Sequence, residues 1–359
     1  MAQGIGPDRL PPGPVARQLD GYFAMLETTW RQAAERGGST VVTLDLAGRG
    51  IRLGLAGDVA ATLRPALAHV TRRANIPPDF EVLVWDEATT ATPLPPPPWS
   101  WPPPGSAVRL SLPAGGEGYR IPVGRTPGSF AMFSLAARRV IVWIDDAATL
   151  AWHHRAAPLL QAWQWWSMTG GARILHAVCV GTPEGAAILV GRGGSGKSST
   201  AVLGALAGLD YVGDDYCLLE IEPEPVAHSL YATAKLHADH LARFPDVPAA
   251  AVLHPTEPTD KAILFMERAA PDRMAARLPI RSVVAPRVTG ADRPRLERLS
   301  PAKAMMAIAP STLMQLYRHT DPGCGDLATL VRRLPCWRLE LGGRMAEVPD
   351  LLRRHLETA

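Results

Sequence analysis

The residues best suited to chemistry lie near the middle of the chain, where Ala187-Ile188-Leu189-Val190 runs into Gly191-Arg192-Gly193-Gly194-Ser195-Gly196-Lys197-Ser198-Ser199-Thr200. An apolar run, a glycine-rich turn and a set of helix formers follow one another, and Gly191, Gly196, Lys197 and Ser198 satisfy the spacing G-x-x-x-x-G-K-[ST]. Glycines let successive backbone N–H groups turn inward as an anion nest, and the helix behind them presents its unpaired N–H groups and positive dipole end to the same anion. Gly191, Gly193, Gly194, Ser195, Gly196, Lys197, Ser198 and Ser199 would then cradle the phosphates of ATP. Lys197 would reach the β- and γ-phosphates, and the Ser198 hydroxyl would hold Mg²⁺. The plainer reading, a glycine-rich turn that binds nothing, leaves the strand and the helix on either side of it unexplained.

One helix later comes Asp210-Tyr211-Val212-Gly213-Asp214-Asp215-Tyr216-Cys217-Leu218-Leu219-Glu220, a short strand, an acidic pair and a second apolar strand. Two adjacent carboxylates near Mg²⁺ and phosphate can divide labour: one stays ionised toward the metal while its neighbour accepts a proton from an attacking hydroxyl. An Asp-Asp at a turn can equally serve only to cap backbone N–H groups. Upstream, Ile174-Leu175-His176-Ala177-Val178-Cys179-Val180 reads as a strand that sets His176 beside the nucleotide strand, where a lone histidine is equally at home as a core residue. Lys235, in Tyr231-Ala232-Thr233-Ala234-Lys235-Leu236, and Arg287, after the apolar run Ser282 to Ala285, are candidate cations for the phosphates.

The block from His176 through Lys235 resembles the catalytic core of HPr kinase/phosphorylase and, more distantly, phosphoenolpyruvate carboxykinase. The closest likeness is to HPr-kinase-like serine kinases outside sugar regulation, some of which tailor lasso peptides. The resemblance rests on Leu175-His176 before the loop, the loop Gly191 to Ser198, and Gly213-Asp214-Asp215 one helix later, and it covers roughly the last half of the chain. It implies that Asp214 is the general base toward the acceptor hydroxyl, Asp215 a Mg²⁺-side carboxylate, and His176 a partner that orients the acidic pair. The glutamate- and arginine-bearing signature of the HPr enzymes is not reproduced, which argues against HPr itself as substrate and against the phosphorylase reaction.

Elements must position these groups, and the 359 residues suggest two domains. The expected architecture is α/β: a C-terminal phosphate-loop domain of the HPr-kinase/phosphoenolpyruvate carboxykinase type over 166–359, preceded by a smaller α+β domain over 16–165. Residues 1–15 read as a disordered tail, and the proline-rich run 93–104 as an extended insert. In the first domain the spacing of Leu19, Phe23, Leu26 and Trp30 predicts a helix. Strands are expected over Val41–Leu46, Ile51–Leu55, Glu81–Trp85, Val108–Leu112, Tyr119–Val123, Ser129–Ser134 and Val140–Ile144, with a helix capped by Asp58 and running through His69 and Arg73. A tryptophan-rich helix follows over Ala151–Met168. Near the C-terminus helices are expected over Pro301–Ala309, from Pro310 onward, over Gly325–Arg333 and over Pro349–Glu357.

Composition narrows the function classes. Hydrophobic residues at 47% and charged residues at 20% describe a globular chain with a sizeable core. A net charge of +3 gives no argument for nucleic acid, and the arginines from Arg281 to Arg298 read as a solvated face. The four cysteines lie far apart without a C-x-x-C pair, as in a reducing compartment. No apolar run approaches the roughly 20 residues of a membrane span and no secretory signal is apparent, so a cytoplasmic protein is expected. The expected function is transfer of the γ-phosphoryl group of Mg·ATP to a serine of a protein or peptide, in a chain that could also self-associate. The rival readings are a nucleotide-sensing scaffold that transfers nothing and a kinase for a small metabolite.

Overall fold

The structure, a computed structural model, describes residues 14–72, 77–99, 118–122, 128–170, 172–257, 259–316 and 323–358. Most of the tail 1–15, the end of the proline-rich run and the expected strand 108–112 lie outside the described residues. The fold is mixed α/β with several sheets. It divides into two compact units, one holding 1–43, 50–62 and 77–150, the other 44–49, 63–76 and 151–359. Residues 151–165, assigned to the first domain on sequence, thus group with the second unit. No described helix is long and apolar enough to cross a membrane.

In the first unit, α1 (Pro14–Gly37) buries Leu19, Tyr22, Phe23 and Leu26 in one cluster with Leu83, Trp85, Phe130 and Ile141. The strands are β1 (Ser39–Leu46), β2 (Arg49–Ala56), β3 (Pro78–Asp86), β4 (Tyr119–Arg120), β5 (Ser129–Ser134) and β6 (Arg139–Ile144). They lie in the order β1-β2-β3-β6-β5-β4, with β2, β3 and β6 mutually parallel. The ends of these parallel strands are closed by their own side chains. Asp86 accepts from the Ala88 N–H and the Thr89 hydroxyl, and Thr89 Oγ1 accepts from the Asp58 N–H. Gly57 has φ +77, and a Cβ there would stand 2.3 Å from Thr89 Oγ1. The helix expected from Asp58 through His69 and Arg73 is α-helical only over Val59–Leu63 and continues as a 3-10 helix over Arg64–Val70, since Pro65 has no N–H to give the ladder; Thr71–Arg72 is then extended, and Arg73 lies outside the described residues.

The second unit begins with α2 (Trp152–Ala156) and α3 (Leu160–Ser167). The sequence predicts a single helix here; Pro158 removes a donor and Leu159 takes φ +59, so the chain breaks between them. Strands β7 (Arg173–Leu175), β8 (Val178–Thr182) and β9 (Gly185–Leu189) lead to α4 (Lys197–Leu206). Then come β10 (Asp210–Gly213), β11 (Cys217–Glu220), β12 (Val226–Ser229), β13 (Thr233–Leu236), β14 (Val252–Leu253), β15 (Ala262–Phe265), β16 (Arg277–Ala291) and β17 (Arg295–Arg298). The last elements are α5 (Pro301–Leu316), α6 (Gly323–Arg333), β18 (Cys336–Gly342) and α7 (Val348–Glu357).

A nine-stranded sheet runs β10-β8-β9-β16-β12-β11-β7, with β18 pairing β16 and β17. β9 lies at its centre, antiparallel to β8 and parallel to β16, and it is buried on both faces. Ala187 and Leu189 pack with Ala201, Val202 and Ala205 of α4 and with Val348 and Leu352 of α7. Ala186, Ile188 and Val190 pack with Ala304 and Ile308 of α5 and Leu330 of α6. Helices on both faces explain the uninterrupted apolar run, which a one-sided strand would not need. A small separate sheet runs β13-β15-β14. The helix break expected at Pro310 does not occur: Ala304, Ile308 and Thr312 form one buried stripe at a spacing of four, and this packing carries α5 through the proline.

Candidate functional site

β9 delivers the chain into the loop 190–196, and α4 takes it out again. The Val190 N–H still donates to Val284 of β16, so the loop starts from a fixed edge. Gly191, Gly194 and Gly196 have φ +147, +78 and +98, the region only glycine occupies cheaply, and Gly196 sits at the N-terminus of the ten-residue α4. Lys197 is 6% exposed. Its Nζ donates to the carbonyls of Gly191 (2.6 Å) and Arg192 (3.2 Å), so it lies back across the loop. Burial lowers the Lys197 pKa, against the opposing pull of Asp215 and Asp214. Ser195 Oγ is buried with no hydrogen-bond partner, and Ser199 Oγ lies 3.2 Å from His240 Nδ1.

The acidic pair forms where two chain segments change sheet neighbours. The strand expected across Ile174–Val180 is broken at His176: β7 pairs β11 on one side of the break, and β8 pairs β9 and β10 on the other. Asp214–Tyr216 makes the corresponding step from β10 to β11. The Tyr216 N–H donates to the Asp214 carbonyl at 2.8 Å, and Asp215, at the tip of this three-residue turn, takes φ +63. A non-glycine residue there stores strain, which the surrounding contacts must hold.

Those contacts are dense. Asp214, 2% exposed, accepts from the Ser198 hydroxyl at 2.9 Å and from the Lys235 backbone N–H at 3.0 Å. Asp215 forms an ion pair with Lys235 Nζ through Oδ2, and its Oδ1 lies 3.5 Å from His176 Nε2. β13 therefore grips both aspartates with one residue, through the backbone of Lys235 and through its side chain. The Lys235 ammonium also stands 5.7 Å over the Trp152 ring and 5.5 Å over the Tyr216 ring, and Tyr216 lies against His176 with ring centroids 5.3 Å apart. Thr312 of α5 accepts from the His176 N–H.

The two carboxyls are driven apart in acidity. Burial and the neighbouring charge of Asp215 push Asp214 up. Burial would raise Asp215 as well, but Lys235 and His176 outweigh it and hold this carboxyl well below the usual carboxylate range. Burial alone would lower Lys235, yet Asp215 and the other groups around it leave its pKa raised. The arrangement is a buried, hydrogen-bonded ion pair beside a second carboxyl that is held by neutral donors.

The structure thus brings His176, Lys197, Ser198, Asp214, Asp215 and Lys235 together around the loop. Arg287 is not among them. It is exposed on β16, where strand alternation turns its side chain away from that of Val288, the neighbour that would lie 3.9 Å from a Cβ on Gly196. Trp152 and Tyr216 are residues that the sequence pattern does not single out for the site. Tyr216 adjoins the acidic pair, but Trp152 belongs to no motif and arrives only through the folding of α2.

The donors present suit a nucleoside triphosphate with Mg²⁺: a loop of inward-turning glycines, an orphaned Ser195 hydroxyl, and two hard oxygen donors, Ser198 Oγ and Asp214 Oδ1, that already meet. No group of three or more His, Cys, Asp or Glu that could hold a metal occurs among the described residues. Mg²⁺ does not require such a cage, because it is commonly held by one or two protein oxygens together with substrate phosphates.

No protein-family model matches the chain, and no curated protein matches it. Among solved structures, the Hpr(Ser) kinase/phosphatase from Coxiella burnetii aligns over 52% of this chain and 97% of its own, at 10% identity and a TM-score of 0.28. A likeness that slight carries no argument, and the function has to be read from the geometry of the loop and the acidic pair.

Proposed function

We propose that the protein is a Mg·ATP-dependent kinase that transfers the γ-phosphoryl group to a hydroxyl, a serine of a protein or peptide. The observation that carries this reading is the hydrogen bond between Ser198 and Asp214. It joins the loop that would hold the triphosphate to the carboxylates that would serve the acceptor. Mg²⁺ would neutralise charge on the triphosphate, with Ser198 and Asp214 as the side chains that hold it.

We assign the two aspartates the opposite parts from those that the resemblance implies. Asp214 is sealed beneath Ser198 and offers no surface to an incoming chain, whereas the Asp215 side chain keeps 18% of its surface and faces His176 and Lys235. Asp215 is therefore the group that orients the acceptor O–H. Phosphoryl transfer passes through a loose transition state in which the hydroxyl keeps its proton until late, so a carboxylate that is ionised in the resting site is sufficient as the acceptor of that proton. The bond from the acceptor oxygen to the γ-phosphorus forms, the bond to the β,γ-bridging oxygen breaks, ADP leaves, and the proton passes to Asp215.

Labelled phosphate from [γ-³²P]ATP, followed into the protein, peptide and small-molecule fractions of a cell extract, tests the reaction. Asp215→Asn should lower transfer by about a thousandfold and leave Mg·ATP affinity within a few-fold. Asp214→Asn should instead raise the Mg²⁺ concentration needed for ATP binding. The reverse pattern returns the base to Asp214, label confined to the metabolite fraction favours the small-molecule kinase, and ATP binding with no transfer to any fraction favours the scaffold.

A further inference from the structure

The two serines that follow Lys197 carry the same hydroxyl and meet opposite partners. Ser198 Oγ donates to the Asp214 carboxylate at 2.9 Å, whereas Ser199 Oγ lies 3.2 Å from His240 Nδ1. Consecutive residues of a helix point about 100° apart, so these hydroxyls leave the first turn of α4 on different sides. His240 stands on a single helical turn, Ala238–Leu241, which continues the chain from β13. The N–H groups of His240 and Leu241 both donate to the His237 carbonyl, and Leu241 packs against the core that holds Leu189 and Ala201. The run 233–241 thus meets Asp214 and Asp215 through Lys235, and Ser199 through His240.

Counting protons separates the two hydroxyls. A serine has one O–H to donate and two lone pairs to offer. Asp214 takes the proton of Ser198, which leaves lone pairs for a cation. An imidazole can do the reverse: with its ring proton on Nδ1 it donates to Ser199 Oγ and frees that hydroxyl's own proton for an anion. Asp239 Oδ2 lies 3.7 Å from the other ring nitrogen, too far for a hydrogen bond that would fix the proton there. The place for an anion is marked independently by Ser195, whose buried Oγ has no partner and would lie 3.1 Å from a Cβ on Gly191.

We infer that His240 is a positioning residue for nucleotide, which aims the Ser199 hydroxyl at a phosphate common to ATP and ADP. The inference rests on the triphosphate reading of the loop and adds to it a division between neighbours. Ser198 faces the metal side with Asp214, and Ser199, turned from both aspartates, serves a phosphate that stays with the product.

Calorimetric titration of the full chain with Mg·ATP and with Mg·ADP tests this without an acceptor. His240→Ala should weaken both nucleotides about fivefold and Ser199→Ala by a similar factor, while the double variant loses little more than either, because one hydrogen-bonded unit is removed. His240→Asn, whose amide can donate where Nδ1–H stood, should recover most of the affinity, and His240→Asp, which can only accept, should lose more than alanine. Should an alanine variant fail to fold, the asparagine and aspartate variants give the same comparison. No loss, a loss confined to one nucleotide, a loss that asparagine does not relieve, or losses that multiply in the double variant overturn the assignment of His240 alone. A wild-type chain that binds neither nucleotide overturns the triphosphate reading as well.

Discussion

Both units contain a strand that ends in glycine and leads to a helix, and the two places could hardly be finished more differently. In the first unit β2 passes through Gly57 to a five-residue helix, and the space over the turn is filled by Thr89, itself tied to Asp86 and to the Asp58 N–H. In the second, β9 passes through three positive-φ glycines to a ten-residue helix, and the groups above the turn include an unpartnered serine hydroxyl and a buried lysine whose ammonium donates to loop carbonyls. A strand end that satisfies its own donors is architecture. One that leaves a donor unmatched is built for something that arrives.

Substituting the glycines separates these two cases most strongly. Gly196→Ala should cut Mg·ATP affinity about a hundredfold, because a left-handed φ of +98 and the approach of Leu341 at 2.3 Å both oppose the new methyl group and tilt the first N–H groups of α4. Gly57→Ala meets the same backbone penalty and a fixed Thr89 hydroxyl, so it should cost about 3 kcal/mol of stability in denaturant unfolding while nucleotide affinity is unchanged.

Acid should divide the units next. Asp215 is held below the usual carboxylate range, so the stability it contributes is present above that range and is lost as the pH falls through its own lower value. Protonation there leaves Lys235 buried without its partner, at a cost of about 3 kcal/mol. Asp86 is shifted the other way, raised chiefly by burial, so protonation favours its folded state and acid does not weaken it. Hydrogen exchange followed down the acid range should show protection lost first around β10, β11 and β13, and Asp215→Asn should remove that early loss. Of smaller effect, Asp86→Ala should destabilise by about 1 kcal/mol through loss of its cap on Ala88 and leave ATP binding alone. Smallest of all, Arg287→Ala should change transfer less than twofold.

The parts of the site that were legible in the sequence are those whose chemistry is local. Gly191 to Ser198 and Asp214-Asp215 are contiguous, and their spacing carries the backbone geometry with it. The strand Ser129–Ser134 is found as expected, because a bounded β-rich run has few alternatives. What could not be read depends on distant partners. The break at His176 follows from β7 and β8 choosing different neighbours, and the continuity of α5 past Pro310 follows from a buried stripe that local propensity does not register. Arg287 misses the loop because alternation along β16 turns it away from the side of Val288.

A single residue, Lys235, touches one aspartate with its backbone and the other with its side chain, and the first aspartate meets Ser198 of the loop while the second meets His176. The series Ser198, Asp214, Lys235, Asp215, His176 is unbroken, so the occupant at one end and the proton affinity at the other cannot be set independently. By reciprocity, whatever nucleotide does to the acidity of Asp215, acidity must do to the affinity for nucleotide. In the proposed kinase the lysine would couple the donor half-reaction to the acceptor half-reaction, through contacts that the fold already holds.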